Sequence, residues 1–540
     1  MKRRYNRTIV LGLSIWLTSM TAGCLEFNDS ESSTNASEPA TAEVNTSTKT
    51  PTNRSLTFTP PDVADTVVQL PNDAWVMSFA KQVPIQFVVR SKAMGEWNQL
   101  PTFWNEGFKE KVRDPRTGQE VERSVVKIKV PLGLTQDVPV PDENPITVAK
   151  FVLGKKLYFD PILSTDGKVS CATCHDPAKG FTDQLPVSTG IKGQKGGMSA
   201  PTVMNSAYQV MQFWDGRAGS LEEQAQGPVQ NPVEMYDDNF GPAEVHAWPQ
   251  AVERLRKNPM YVQAFKEVFG TLPTRDATAK AIACYERLVL VGNSVHDRAE
   301  LLMRARVAEE GKATFLVEAV DYEAALQEAI AKKETKLLIS LGLSEASDAA
   351  TIKDTSNRIK NGHTLFFNKA RCNTCHAGDN FTDNLFHNLG VGVKEGVVPS
   401  IAFGRFAAMP TGHKRPDFVG AFKTPTLRGL LSTAPYLHDG SETTLEAVVD
   451  FYDRGGNANE FLDVKMRDID KEQEYARLGE AAFKAKYKNI KVSIYGDVKK
   501  PIIPLELNLT PQEKKDLVIF LKALQGDLVD PMVADPKVFP

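Results

Sequence analysis

What this chain lacks narrows its function before any motif is read. It has no excess of either charge: 64 lysines and arginines stand against 67 aspartates and glutamates, leaving −3 over 540 residues. Nothing in that balance favours nucleic acid or an anionic membrane surface as a partner. Long apolar runs are missing too. The one near the start, "TIVLGLSIWLTSM", is too short to span a bilayer, so no segment reads as a transmembrane helix. Cysteine is scarce, six in the whole chain, and so is histidine, at eight. With so few, their placement carries information. What remains is an ordinary soluble composition, 41% hydrophobic and 24% charged, in a chain long enough for two or three domains.

Lys2, Arg3 and Arg4 precede the short apolar run, which ends in "TAGC" at Cys24. A charged region, an apolar core and small residues before a cleavage point read as an export signal over residues 1–24. Small residues leading into cysteine further suggest a bacterial lipoprotein signal, with Cys24 lipidated; plain secretion with an incidental Cys24 is the alternative. Residues 25–61 are rich in Ser, Thr, Asn and Pro with almost no apolar content. Such a stretch cannot bury enough surface to offset its ordering entropy, so it reads as a tether. Over 62–144, "VPIQFVVR" and "SVVKIKV" alternate as strands of an accessory segment without visible chemistry.

An internal repeat follows. "LGKKLYFDPILSTDGKVSCATCHDPAKGFTD", Leu153 to Asp183, is matched by "NGHTLFFNKARCNTCHAGDNFTD", Asn361 to Asp383. Each copy has a glycine, a Leu-aromatic-Phe step, a Cys-x-x-Cys-His cluster and a closing Phe-Thr-Asp. In an exported chain, paired cysteines suggest disulfides first and zinc second, unless a histidine follows directly. A zinc site needs four ligands, and neither cluster has a second pair nearby. Cys-x-x-Cys-His is instead the attachment pattern of c-type haem: two thiols add to the porphyrin vinyls and the histidine ligates iron. Cys171, Cys174 and His175 therefore hold one covalent haem, and Cys372, Cys375 and His376 a second. Cys284, on an apolar helical face, reads as buried packing. Segments with helical spacing follow each cluster, among them "ATAKAIACYERLVLV" and "TPQEKKDLVIFLKAL", and an Ala/Glu/Lys/Leu-rich stretch between the halves reads as a helical pair.

From Pro145 to Leu524 the chain resembles the bacterial dihaem cytochrome c peroxidase/MauG family. The resemblance is carried by "QFWDGRAGSLEEQAQGPVQNPVEM", Gln212 to Met235, and by "GAFKTPTLRGLLSTAPYLHDGSETTLEAVVDFYDRGG", Gly420 to Gly456. It implies a peroxidatic haem first and an electron-transfer haem second. Trp214 would then pass electrons between them. Glu234 and Gln224 match the acid/base carboxylate and its amide companion above the first haem. Two positions depart from the common pattern. Where many members carry a histidine that caps the first iron, this chain has Ile191, which cannot ligate. Where methionine usually ligates the second iron, the position falls on Tyr452, with Met409 and His413 as fallbacks. The resemblance also implies calcium, with Thr433 and Pro435 at the carbonyl positions and Ser199 in place of asparagine.

These readings define a mainly α protein. Two cytochrome c-type helical domains, at 145–298 and 351–528, each surround a covalent haem. A small strand-containing segment precedes them and a helical insertion at 299–350 separates them. The expected function is an exported peroxidase reducing hydrogen peroxide to water with electrons from a small donor protein, a c-type cytochrome or cupredoxin. The alternative is a MauG-like enzyme that uses peroxide to oxidise side chains of a partner protein. The expected location is the periplasm or cell envelope, with membrane contact only through the lipid at Cys24.

Overall fold

The computed structural model describes residues 82–540 apart from Ala93, 114–116, 497, 498 and Phe539. The export signal, the tether and Cys24 lie outside the described residues, as does the accessory segment up to residue 81.

The accessory segment folds where its alternation places strands. Strand β1 (Ile85–Val88) pairs in parallel with β3 (Glu120–Lys129), which pairs antiparallel with β2 (Trp104–Arg113), in the order β1-β3-β2. Opposite Val126, Ile85 points inward, and Ile85, Val126 and Ile128 join the core of the first haem-motif half. Trp104, paired with Ile128, packs against that core from β2. The segment's described residues are therefore continuous with the first half rather than a body of their own, and they fall in one compact unit with the rest of the described residues.

Helices supply the rest of the frame: α1 (Val148–Phe159), α2 (Arg275–Glu286), α3 (Val295–Glu310), α4 (Ala349–Phe367), α5 (Leu445–Asp453) and α6 (Pro511–Ala523). In the first half α1 packs on α2, and in the second α4 packs on α6, the same pair twice. The repeat's glycine explains the closeness. A Cβ on Gly154 would stand 1.8 Å from the Ala281 carbonyl oxygen, and one on Gly362 would stand 1.9 Å from that of Asp516. Only glycine lets these backbones touch. Each pair carries its own apolar core, one around Phe151, Leu157 and Ile282, the other around Ile359, Phe366 and Phe520.

In three stretches the elements differ from the sequence reading. A Ser294–Asp297 capping box starts α3, which runs unbroken through residue 298 to Glu310. The stretch read as a helical pair holds three helices: α3, ended by left-handed Gly311, then Ala319–Ala331 and Thr335–Ser340, with Tyr322 and Leu326 buried in the second core. Past residue 528 the chain returns to the first half, where Val533 enters its core. The Lys155 Nζ donates to the carbonyls of Met532, Asp535 and Val538 at 2.6–2.7 Å, and Tyr285 Oη donates to Val533 O at 3.1 Å.

One buried ion pair ties these parts together. Arg428 Nη1 and Nη2 meet both Asp297 oxygens at 2.7 and 2.9 Å, with side chains only 1% and 2% exposed. The same guanidinium donates to Gly133 O and Asp379 O. It thus joins α3, the accessory segment's exit and the loop after the second cluster. No helix among the described residues is long and apolar enough to cross a membrane.

Candidate functional site

The two Cys-x-x-Cys-His clusters sit on matching loops. Cys171–Cys174 form one helical turn with His175 behind it, and Cys372–Thr374 form a tighter turn leading to Cys375 and His376. In each, the imidazole Nδ1 meets a backbone carbonyl, His175 that of Phe181 at 3.2 Å and His376 that of Phe381 at 2.9 Å. Phe181 and Phe381 share the left-handed backbone conformation, φ 58° and 50°. An Nδ1–H donating to a carbonyl fixes the tautomer and leaves Nε2 as the ligand atom. Burial lowers both imidazole pKa values and keeps the rings neutral. Burial likewise pushes the Cys174 thiol up to about 11 and that of Cys372 to about 12, and all four cysteines are unpaired. Two free thiols and a neutral imidazole with Nε2 available form the donor set that covalent haem requires.

One cavity of about 670 Å³ runs along both clusters, lined by Cys174 and His175 at one end and by Cys372, Cys375 and His376 at the other. Trp214, Glu234, Gln224 and Tyr452 all line it. Trp214 Nε1 donates to Ser199 O at 2.9 Å, and its ring meets His438 edge-on at 6.4 Å. His438 in turn stacks on Phe422 at 3.5 Å. Glu234 Oε1 accepts from Asn231 Nδ2 at 2.6 Å. Burial raises the Glu234 carboxyl above its usual range, against the opposing pull of the Arg217 guanidinium and the Asn231 amide. Gln224 ends the short helix Leu221–Gln224, begun by a Ser220 cap. Tyr452 projects from α5 beside the second cluster, its phenol pKa raised by burial.

Ile191 is fully buried and is not among the residues lining this cavity; its N–H donates to Glu234 O at 2.9 Å, so it braces the carboxylate's backbone. Lys192 beside it pairs with Asp237 at 2.5 Å. Met409 and exposed His413 are likewise absent from the lining. Ser199, Thr433 and Pro435 do line it. The Ser199 hydroxyl donates to Leu437 O at 3.1 Å and His438 O at 3.3 Å. These three supply neutral oxygens only, short of the six to eight that calcium takes.

A family model described as di-haem cytochrome c peroxidase matches residues 148–304. The methylamine utilization protein MauG of Methylorubrum extorquens is 32% identical over 354 residues, 65% of this chain and 82% of that protein. The cytochrome-c peroxidase IdrP1 of a Pseudomonas species is 31% identical over 433 residues, 76% of this chain and 89% of its own length. The cytochrome c551 peroxidase of Pseudomonas aeruginosa is 32% identical over 323 residues, 58% and 75% of the two chains. The chain belongs to the di-haem cytochrome c peroxidase family. It is an oxidoreductase of the class that acts on peroxide, and the family's cofactor is haem c.

Within this di-haem peroxidase the structure adds residues that the sequence did not single out. Lys423 lines the cavity fully buried, bonded to Gln209 through Nζ, and burial lowers its pKa to about 7. His438 is kept neutral, lowered to about 4 by burial. Both lie inside the stretch that carried the resemblance, and a lone lysine amid "GAF-TPTL" was the available signal. Beside the second cluster, His387 bridges Asp463 at 2.7 Å and Asp383 at 2.9 Å. Burial alone would discharge its ring, yet the two carboxylates hold it protonated, pushed up to about 11. Cys375, Asp383 and His387 converge as a metal site would, but each of the last two already has an ionic partner.

Proposed function

We propose that this peroxidase is an exported enzyme that reduces hydrogen peroxide to water in the first haem pocket, using electrons delivered by a small redox protein to the second. The observation that carries the reading is the single cavity shared by both clusters, which Glu234, Gln224 and Trp214 also line. A haem bound at each cluster supplies the iron that binds peroxide or relays electrons. The chain supplies the rest. His175 and His376 present Nε2 as ligand atoms, oriented by their Nδ1–H bonds. Glu234 keeps Oε1 on Asn231 and has Oε2 free to take a proton from the peroxide oxygen nearer the iron and return it to the outer one. Gln224 is positioned to orient peroxide beside it. Trp214, fixed through its N–H, would pass electrons between the two halves, residues 145–298 and 351–528. The exported location, with Cys24 as a lipid anchor in the periplasm or cell envelope, completes the reading; Ser199, Thr433 and Pro435 would hold calcium only with further oxygen ligands.

Tyr452 and Ile191 favour a second reading, MauG-like oxidation of side chains on a partner protein. Tyrosinate at the second iron disfavours reduction. Ile191 has no lone pair with which it could cap an iron held by the first cluster. Steady-state turnover of the di-haem protein with peroxide and a reduced c-type cytochrome or cupredoxin decides between them. Rapid donor oxidation supports the peroxidase; none, with the ferric haems still consuming peroxide, supports the second reading.

A further inference from the structure

The internal repeat contains its own control for one feature of the first half. Where α4 and α6 pack in the second half, the contact is Phe366 against Phe520, ring centroids 5.3 Å apart. At the matching positions of α1 and α2 stand Tyr158 and Tyr285, 4.7 Å apart. The equivalence is fixed by the glycines, since Gly154 abuts Tyr285 Cβ as Gly362 abuts Phe520 Cβ. Phenylalanine thus satisfies the packing, and the first half carries two electron-rich phenols in its place. Tyr158 Oη donates to the backbone carbonyl of His175, the proposed ligand of the first iron, at 2.8 Å. From Tyr285 the rings continue through Phe151 at 6.1 Å to Trp104 at a further 5.6 Å. Trp104 lies half-buried on β2, and its Nε1–H donates to exposed Glu106 at 3.0 Å.

We propose that Tyr158, Tyr285, Phe151 and Trp104 form an electron inlet to the first haem pocket, ending at a surface indole that draws electrons from electron-rich aromatic reductants of the phenol class. The proposal rests on the peroxidase reading, which supplies the oxidant. The balance is that of peroxide reduction: one peroxide takes two electrons and two protons to give two waters. For each electron, Trp104 loses one to the pocket through the stacked rings and its Nε1 proton goes to the Glu106 carboxylate. A phenol then donates one electron to the indole radical, Glu106 returns its proton to Nε1, and the phenol's own proton passes to solvent, which supplies the proton that peroxide takes up; the phenol leaves as a phenoxyl radical, and two phenols are used per peroxide. Trp104 is where the electron vacancy comes to rest, because it alone of these four residues has a carboxylate on its acidic hydrogen. The Tyr158 and Tyr285 hydroxyls donate to backbone carbonyls, which cannot take up a proton. Their role is to conduct. The inlet also gives the accessory sheet a function, since β2 carries both Trp104 and Glu106.

Freeze-quench electron paramagnetic resonance of the ferric di-haem protein, mixed with peroxide without reductant, tests this. A neutral tryptophanyl radical is expected, absent in Trp104→Phe and at least tenfold weaker in Tyr285→Phe, a substitution that the Phe520 contact shows the fold accepts. Mass spectrometry should find hydroxylated Trp104 in the parent and at least fivefold less in Tyr285→Phe. Turnover with 2,6-dimethoxyphenol should fall at least tenfold in Trp104→Phe, while turnover with reduced cytochrome stays within twofold of the parent. An unchanged radical signal or unchanged phenol turnover in Trp104→Phe overturns the inlet and leaves the peroxidase reading standing. A parent whose haem spectrum does not respond to peroxide overturns both.

Discussion

Glu234 shows how one residue's environment prepares its chemistry. Its carboxyl is buried and raised, so more of it is protonated near neutrality than for a solvent-exposed glutamate. In the proposed mechanism the Glu234 carboxylate accepts a proton, so kcat/KM should fall as pH drops through this raised value. Glu234→Gln keeps the shape and the Asn231 contact but removes the proton carrier. A loss of about 10²- to 10⁴-fold in peroxide turnover is expected, with haem spectra intact and the acidic limb gone. Stopped-flow kinetics across pH check it; a rate within a few-fold of the parent would remove Glu234 from the mechanism. Tyr452 makes the second prediction at this scale. As axial ligand it should hold the second haem low-spin, and Tyr452→Phe should open that site and raise its potential within the ~0.8 V that axial ligands command. Absorption spectra and potentiometry read the change. Neither Met409 nor His413 lines the cavity, so an unchanged spectrum would move the assignment to another lining side chain able to ligate, such as Met466.

At the scale of elements, the repeat was the most legible part of the sequence because its spacing is set by contacts. The glycine falls where two helices touch backbone to backbone, the cluster follows one loop later, and the closing Phe-Thr-Asp places the carbonyl that holds each histidine. Strands β1 and β3 were legible from alternation alone. The third helix of the insertion was not, since Thr335–Ser340 is too short to show a period. Nor was the role of Ile191, whose backbone bond to Glu234 leaves no trace in residue type. Lys423 and His438 depend on contacts across a two-residue ladder, Phe386–His387 with Phe422–Lys423, too short to announce itself. The repeat also predicts independence of the two cofactor loops. The double variant Cys171→Ser, Cys174→Ser should retain one covalent haem where the parent retains two, counted by pyridine haemochrome on denatured protein. One haem in the parent would end the reading of the duplicated cluster.

For the molecule as a whole, the Arg428–Asp297 pair is the test of how its parts are held together. Burial opposes the charge on Asp297, but the Arg428 guanidinium outweighs it and holds the carboxyl below its usual range. A carboxylate with a depressed folded pKa contributes stability that is present above its unfolded value, about 3.9, and is lost as pH falls through the folded one. Arg428→Met strands a buried charge and should cost about 3–5 kcal/mol at pH 7. The gap between variant and parent should narrow as pH falls below about 4, toward the depressed folded value at which Asp297 is protonated in the parent as well. Denaturant unfolding of the haem-loaded protein at the two pH values measures it, and a gap that widens in acid would refute the account. The return of the chain's far end to the first half bears on how this protein is made. Tyr285 donates to Val533 across 248 residues of sequence, and Lys155 waits for carbonyls further along still. At roughly 5–20 residues per second, a ribosome takes on the order of 10–50 s to cover that interval. During that time the first half lacks the contacts that Val533 and the far carbonyls give its α1–α2 pair. That helix pair is thus completed only by a segment made long after it.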